Sequence, residues 1–177
     1  MESAKRISES NAMVDSAAYR SGMRLLAAGV SIIASRHEAE KAGLTATAVC
    51  SITADPPKLL VCVNKSVAAS SIIEKSGKLS VNVLSGNQEA TAKRFAGMID
   101  GVRGESRFED GAWDVLETGA PVLNDALVSF DCRVVGILEE STHKVFFAEV
   151  VAVKEKADAE ALVYLNGKFQ TLKTHFE

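Results

Sequence analysis

Apolar positions along the chain change period several times, and each change marks an element. From residue 16 the pattern is helical: Tyr19, Met23 and Leu26 fall at i, i+4 and i+7 on one face, with Leu25 beside them. Asp15 or Ser16 caps the start and Gly29 closes the end. Residues 30–35 read as a strand, broken by the charged turn 37–43, which terminates at Gly43. A second strand covers 44–53 and stops at Asp55-Pro56-Pro57, since proline lacks an N–H and pushes its predecessor out of the α region. Residues 59–63 are an apolar run of buried-strand length, and 66–75 read as a short helix capped by Ser66. In 78–84, Leu79, Val81 and Val83 lie on one side and Ser80 and Asn82 on the other, which is a strand. Residues 87–96 are helical again.

The stretch 97–121 is rich in glycine and charge and keeps no period, so it reads as a surface excursion. Two long strands follow, 127–138 and 143–153, joined by a short turn over 139–142. In the first, Val128, Phe130, Cys132 and Val134 face away from Ser129, Asp131 and Arg133, the pattern of an antiparallel strand with one wet face. A last pair, 162–165 and 168–172, flanks Asn166-Gly167, a type I′ hairpin signal. Many hairpin-linked strands with short helices between them predict a mainly β fold, a small antiparallel barrel with helical additions.

The 177 residues suit one domain, read as 15–177 with a loose polar arm over 1–14. With 47% hydrophobic and 24% charged residues the chain is of globular composition. A net charge of −3 lacks the basic surplus of a nucleic-acid-binding domain. Cys50, Cys62 and Cys132 are widely spaced among apolar neighbours and make no C-x-x-C, so they read as reduced thiols of a cytoplasmic protein. The N-terminal residues lack the apolar stretch of a signal peptide, and no run reaches the length of a membrane span.

Phosphate-loop, dinucleotide-fingerprint, zincin and nucleophile-elbow motifs are missing, and His37, His143 and His175 are far apart in sequence, so no metal site is expected. Any difficult chemistry then belongs to a bound cofactor. The segment 45–53 is the most unusual one. As a strand it puts the hydroxyls of Thr45, Thr47, Ser51 and Thr53 on one face and Ala46, Ala48, Cys50 and Ile52 on the other. That face either lets a flat ring with polar edges approach the main chain or is simply solvated, as threonine-rich strands often are. Asn64-Lys65-Ser66 lies where a strand gives way to a helix, so it is either an anion site or a cap with a solvated lysine. His143 opens a strand after a turn, as a ligand-facing or a merely structural histidine. Lys93 and Arg94 end a helix, where positive charge suits the dipole.

Taken in order, the segments 43–51, 55–57, 64–66, 79–84, Arg94-Phe95-Ala96-Gly97 and Ser141-Thr142-His143 resemble the short-chain flavin reductase family, which includes the reductase component of two-component hydroxyphenylacetate monooxygenase. The resemblance covers roughly residues 19–169. It implies an FMN-binding split β-barrel, of Greek-key antiparallel type, that acts as a homodimer. It also implies reduction of a bound flavin by NADH or NADPH; the family uses both FMN and FAD, and FMN is the expectation here because nothing in the chain announces an adenine pocket. Carried over by position, Thr45, Ala46, Thr47, Ala48, Cys50 and Ser51 would lie along the flavin ring and ribityl chain. Asn64, Lys65 and Ser66 would hold its phosphate end, Arg94, Phe95 and Gly97 would complete that wall, and His143 would sit beside the nicotinamide. Two positions depart from the family pattern. Ser141 stands where glycine usually precedes the Thr-His pair, and Ala69 stands where relatives place a threonine, a role that falls to Ser70 or Ser71. The implied partner is a flavin-dependent monooxygenase. The alternatives are another acceptor such as a cobalt corrinoid, or a flavin-binding electron carrier without reductase activity.

Overall fold

The computed structural model describes residues 14–156 and 160–173, so all of the expected N-terminal arm except Val14, and also His175, lie outside the described residues. Helix α1 (Ser16–Met23) starts where the Asp15 carboxylate accepts the N–H groups of Ala17 and Ala18, each at 3.2 Å. It ends at Arg24, well before Gly29, which belongs to strand β1 (Ala28–Gly29). Strands β2 (Ser31–His37) and β3 (Glu40–Ala46) form a hairpin closed by Glu38 and Ala39 alone. The expected turn over 37–43 is therefore shorter, and Gly43 sits inside β3. Strands β4 (Val49–Ala54) and β5 (Pro57–Asn64) turn at Asp55-Pro56. Next come α2 (Ala68–Ser76), β6 (Lys78–Val83), α3 (Glu89–Phe95) and a 3₁₀ turn (Gly104–Glu109). Then follow β7 (Trp113–Val115), β8 (Pro121–Leu123), β9 (Val128–Glu140) and β10 (His143–Glu155). The hairpin of β11 (Ala161–Leu165) and β12 (Lys168–Leu172) turns at Asn166 and Gly167, with φ of 51° and 78°, as a type I′ turn requires.

The main sheet has seven strands in the order β3-β2-β6-β9-β10-β5-β4, every pair antiparallel. Its two outer strands, β3 and β4, are joined by only Thr47 and Ala48. Three peptide steps reach about 11 Å at most, so the sheet must curl until its edges meet. The strand expected over 44–53 is accordingly two strands with a corner between them. The result is a barrel left open where β3 and β4 fail to pair. Leu59, Val61, Val63, Leu79, Val81, Cys132, Phe146 and Ala148 fill its interior, and Ile72 and Ile73 bury the inner face of α2. A second core outside the barrel joins Ile32, Leu84, Phe95, Phe108, Leu123 and Leu162, so β2 is covered on both faces.

That outer cover corrects two expectations. The 97–121 stretch is exposed over most of its length but is not wholly a surface excursion, because Phe108, Ala120 and Pro121 are buried. The face of β9 expected to be wet keeps Arg133 exposed, but Ser129 and Asp131 are buried, as are Ser80 and Asn82 of β6 beside them. Each is paired, as burial demands. Asn82 Oδ1 accepts from Leu123 N at 2.8 Å and from Ser129 Oγ at 2.9 Å, Ser80 Oγ donates to Pro121 O, and the Asp131 carboxylate accepts from Thr118 N at 2.7 Å and from its hydroxyl. No described helix is long and apolar enough to cross a membrane.

Candidate functional site

Three clefts follow one another along β3 and the corner after it. The first, about 170 Å³, lies between Ala42 and Gly43 of β3, the first turn of α2 (Val67, Ala68, Ala69) and Gly104 and Arg107 of the 3₁₀ turn. The second, about 180 Å³, is lined by Thr45, Ala46 and Thr47, by Ala96 and Met98 after α3, and by Tyr164 and Phe169 of the last hairpin. The third, about 380 Å³, runs from Thr47 and Ala48 beneath Tyr164 to Met23 and Leu26 beside α1. At the strand rise, Ala42 to Thr47 spans about 17 Å. The floor is almost bare main chain: its side chains are small, and Thr47 and Ala48 belong to neither ladder, although Ala48 O accepts from Cys62 N at 3.0 Å.

Sequence reasoning placed a continuous row of hydroxyls here, and the corner breaks it. Thr45 Oγ1 donates to Ala92 O at 2.6 Å and fastens β3 to α3, while Thr53 Oγ1 donates to Asp55 O within its own turn. Thr47, Ala48, Cys50 and Ser51 are exposed, and Ala46 is buried against the barrel core. Beneath β3, Phe95 packs edge-on against Phe108, with centroids 5.0 Å apart, and 5.4 Å from Trp113. Phe95 is thus a buried support of the strip rather than a part of its surface.

A second group gathers at the end of β5. Asn64 pairs with His143 across the β5–β10 ladder, and Lys65 N donates to Thr142 O at 2.9 Å. Asn64 Oδ1 accepts from both Ser66 N (2.9 Å) and Ser66 Oγ (2.8 Å), so Ser66 closes an Asx turn, and the residue that caps α2 is Val67. Val67 supplies no side-chain cap; its carbonyl accepts Ser70 N at 3.0 Å, and the N–H groups of Ala68 and Ala69 ahead of it are left to a ligand or solvent. His143 is exposed, its Nδ1 2.8 Å from Thr142 Oγ1. Ser141 has φ of 48°, in the left-handed region where glycine is at ease, so the turn keeps its shape without one. Lys65 Nζ reaches Glu139 at 3.4 Å; Lys144 bridges Glu139 at 3.5 Å and Glu74 at 2.6 Å. The ammonium of Lys65, then that of Lys144, holds the Glu139 carboxyl below the usual carboxylate range.

The arginine expected at the anion end is used elsewhere. Arg94 donates from Nε to Arg107 O at 3.0 Å and from Nη2 to Ser106 O at 2.7 Å, and so holds the 3₁₀ turn to α3. Arg107 is the arginine that lines the cleft beside α2. Its Nη1 donates to Gly43 O and Phe95 O, both at 3.0 Å, and no carboxylate among the described residues pairs with it. Its Nε is buried without a partner, and burial lowers its pKa from the ordinary value. Ser70 Oγ is likewise buried and unpartnered, under α2 rather than in the cleft; Ser71 Oγ donates to Ala68 O. Gly97 lies against Arg107, whose Nη2 would be 3.3 Å from an added Cβ.

A family model described as flavin reductase like domain matches residues 23–173. The chain belongs to this family. It is similar to the FMN reductase (NADH) RutF of Agrobacterium fabrum, 42% identical over 154 residues that cover 87% of each chain. Among solved structures it is similar to BorF, the flavin reductase component of a bacterial two-component tryptophan halogenase. That match has a TM-score of 0.82 and 26% identity, over 91% of this chain and 100% of the other. It is also similar to the NADH:FAD oxidoreductase SgcE6 of Streptomyces globisporus, with a TM-score of 0.81 and 25% identity over 94% and 100% of the two chains. As a flavin reductase like domain, this chain offers what such a ligand needs: an apolar-walled strip with main-chain amides beside it, ending at a helix start with a cation that has no counter-charge. Arg107 is the functional candidate that sequence reasoning missed. Its one signal, an arginine next to an aromatic in a glycine-rich stretch, is common in surface loops.

Proposed function

We propose that this protein is an NADH-dependent flavin reductase that supplies reduced flavin to a partner monooxygenase. The observation that carries the reading is the run of clefts along β3, bare main chain at one end and the uncompensated Arg107 beside the first turn of α2 at the other. Ala46, Thr47 and Ala48 would hold the flavin ring, FMN in preference to FAD. Cys50 and Ser51 continue that edge, and Tyr164 and Met98 form the walls. Ser66, the amides that open α2, Arg107 and Lys65 would hold the flavin's phosphate tail. When bound, the flavin supplies the hydride acceptor.

The chain's own residues act by position. His143, held by Thr142 and by its ladder partner Asn64, orients the nicotinamide of NADH toward the strip. Amides near Thr47 would offer hydrogen-bond donors to the ring edge of a bound flavin. Tyr164 and Phe169, packed edge to face with centroids 5.3 Å apart, exclude water from one side. The protein works as a homodimer, because α1 buries none of its residues and leaves Tyr19 and Met23, with Leu26 just past its end, about half exposed or more. A second copy would cover this face and close the cleft between α1 and Ala48. The test follows NADH absorbance at fixed protein with and without FMN, together with light scattering for mass. FMN-dependent oxidation by a dimer supports the reading; bound flavin without oxidation, or no binding, overturns it.

A further inference from the structure

The ion-pair cluster at the tip of the β9–β10 hairpin has a charge balance that bears on how firmly the ligand's tail is held. Lys65, Lys144, Glu74 and Glu139 make two cations and two anions, so the cluster is neutral before any ligand arrives. Lys144 has its own close partner in Glu74 at 2.6 Å, while among the described residues Lys65 pairs only with Glu139, at 3.4 Å. The main chain of Lys65 is pinned to Thr142 O, so only its flexible stem can move. Lys65 is therefore a cation already engaged. An incoming phosphate must share it with a carboxylate or displace that carboxylate.

We propose that Glu139 is an internal competitor for Lys65, a positioning residue that weakens the grip on the flavin's phosphate and favours release of the flavin. This rests on the reading above, in which the phosphate end lies at Lys65 and Ser66. Glu139 sits on the hairpin whose next strand begins with His143, so it also ties the loop that holds the tail to the strand that orients the nucleotide. Its side chain is 59% exposed and that of Lys65 is 37% exposed, so the competition is modest and tunable rather than a lock.

The experiment titrates FMN and riboflavin, which lacks the phosphate, into wild type, Glu139→Gln, Lys65→Met and the double variant, by flavin fluorescence at low salt. Glu139→Gln should bind FMN about two- to five-fold tighter, the scale of an exposed ion pair, with slower FMN dissociation and unchanged riboflavin affinity. Lys65→Met should weaken FMN alone, and adding Glu139→Gln to it should change nothing. A purely structural role for Glu139 would shift both ligands together, which overturns the proposal. So does an FMN affinity in Glu139→Gln that is unchanged or weaker while Lys65→Met still discriminates the two ligands; the site reading then stands. If Lys65→Met leaves the FMN-to-riboflavin ratio intact, the tail is not at Lys65 and both readings fall.

Discussion

Replacing Gly43 by alanine tests whether β3 is the floor of the site because the main chain must come so close to its support. A Cβ there would lie 2.8 Å from Phe95 Cε1 and 3.0 Å from Ile33 O. Ordinary carbon contacts are about 3.5–4.0 Å, so something must move by roughly 0.7 Å or more. The ring cannot easily retreat, since Phe108 and Trp113 hold it at 5.0 and 5.4 Å. The strand moves instead, and it carries Thr45 to Thr47 with it. Overpacking of this kind costs about 1–3 kcal/mol. For a chain of this size that is a fall in Tm of roughly 3–10 °C. Thermal melts should show it, and FMN titration should show weaker binding from the displaced strip. Phe95→Leu combined with Gly43→Ala should be more stable than the sum of the two single changes, because the smaller side chain makes room. A Gly43→Ala variant melting within about 1 °C of wild type, or a double variant that is merely additive, would refute the argument.

Three further outcomes follow from the same geometry. Arg107→Ala should weaken FMN by about ten-fold or more, the scale of a lost charge-assisted hydrogen bond, and leave riboflavin affinity unchanged; it should also lower Tm, since Gly43 O and Phe95 O lose their donor. His143→Ala should raise the NADH KM or lower kcat by about three- to ten-fold with FMN affinity intact, and unchanged steady-state kinetics would remove His143 from the site. In thiol titration at pH 8, exposed Cys50 should react first and more slowly with FMN bound. Cys132, whose pKa burial and then Asp131 push up to about 12, should react only on unfolding, and labelling of Cys132 in the native protein would contradict the packing.

What the sequence announced was local. The last hairpin was legible because Asn166 and Gly167 are residues that tolerate φ of 51° and 78°. The inward side of β6 was legible because Leu79 and Val81 alternate with polar residues. What the sequence concealed is long-range. Ser80 and Asn82 look wet in a strand pattern, and only the return of Pro121 and Leu123 forty-one residues later makes them a buried network. The corner at Thr47 and Ala48 carries no glycine or proline, and the demand for it comes from barrel closure. Thr47, Asn64 and His143 stood out as candidates because their motifs are contiguous. Arg107 was not, because one of its carbonyl partners, Gly43, lies 64 residues away.

The opening between β3 and β4 is also an edge problem with one part left unsolved on purpose. Unpaired edge strands invite foreign strands, and folded chains normally cover them. Most of β3 is covered here: Lys41 N donates to Glu105 at 3.0 Å, Gly43 O accepts from Arg107 at 3.0 Å, and α2 packs alongside. Cover stops at Thr45, whose hydroxyl makes the last tie to α3. Beyond it, Thr47 and Ala48 keep main-chain groups outside either ladder, in the place where the clefts meet. A planar ligand with polar edges solves the same problem that a neighbouring strand would, and it can leave again. A barrel sealed by β3–β4 pairing would be the more stable fold, and it would have nowhere to put a flavin.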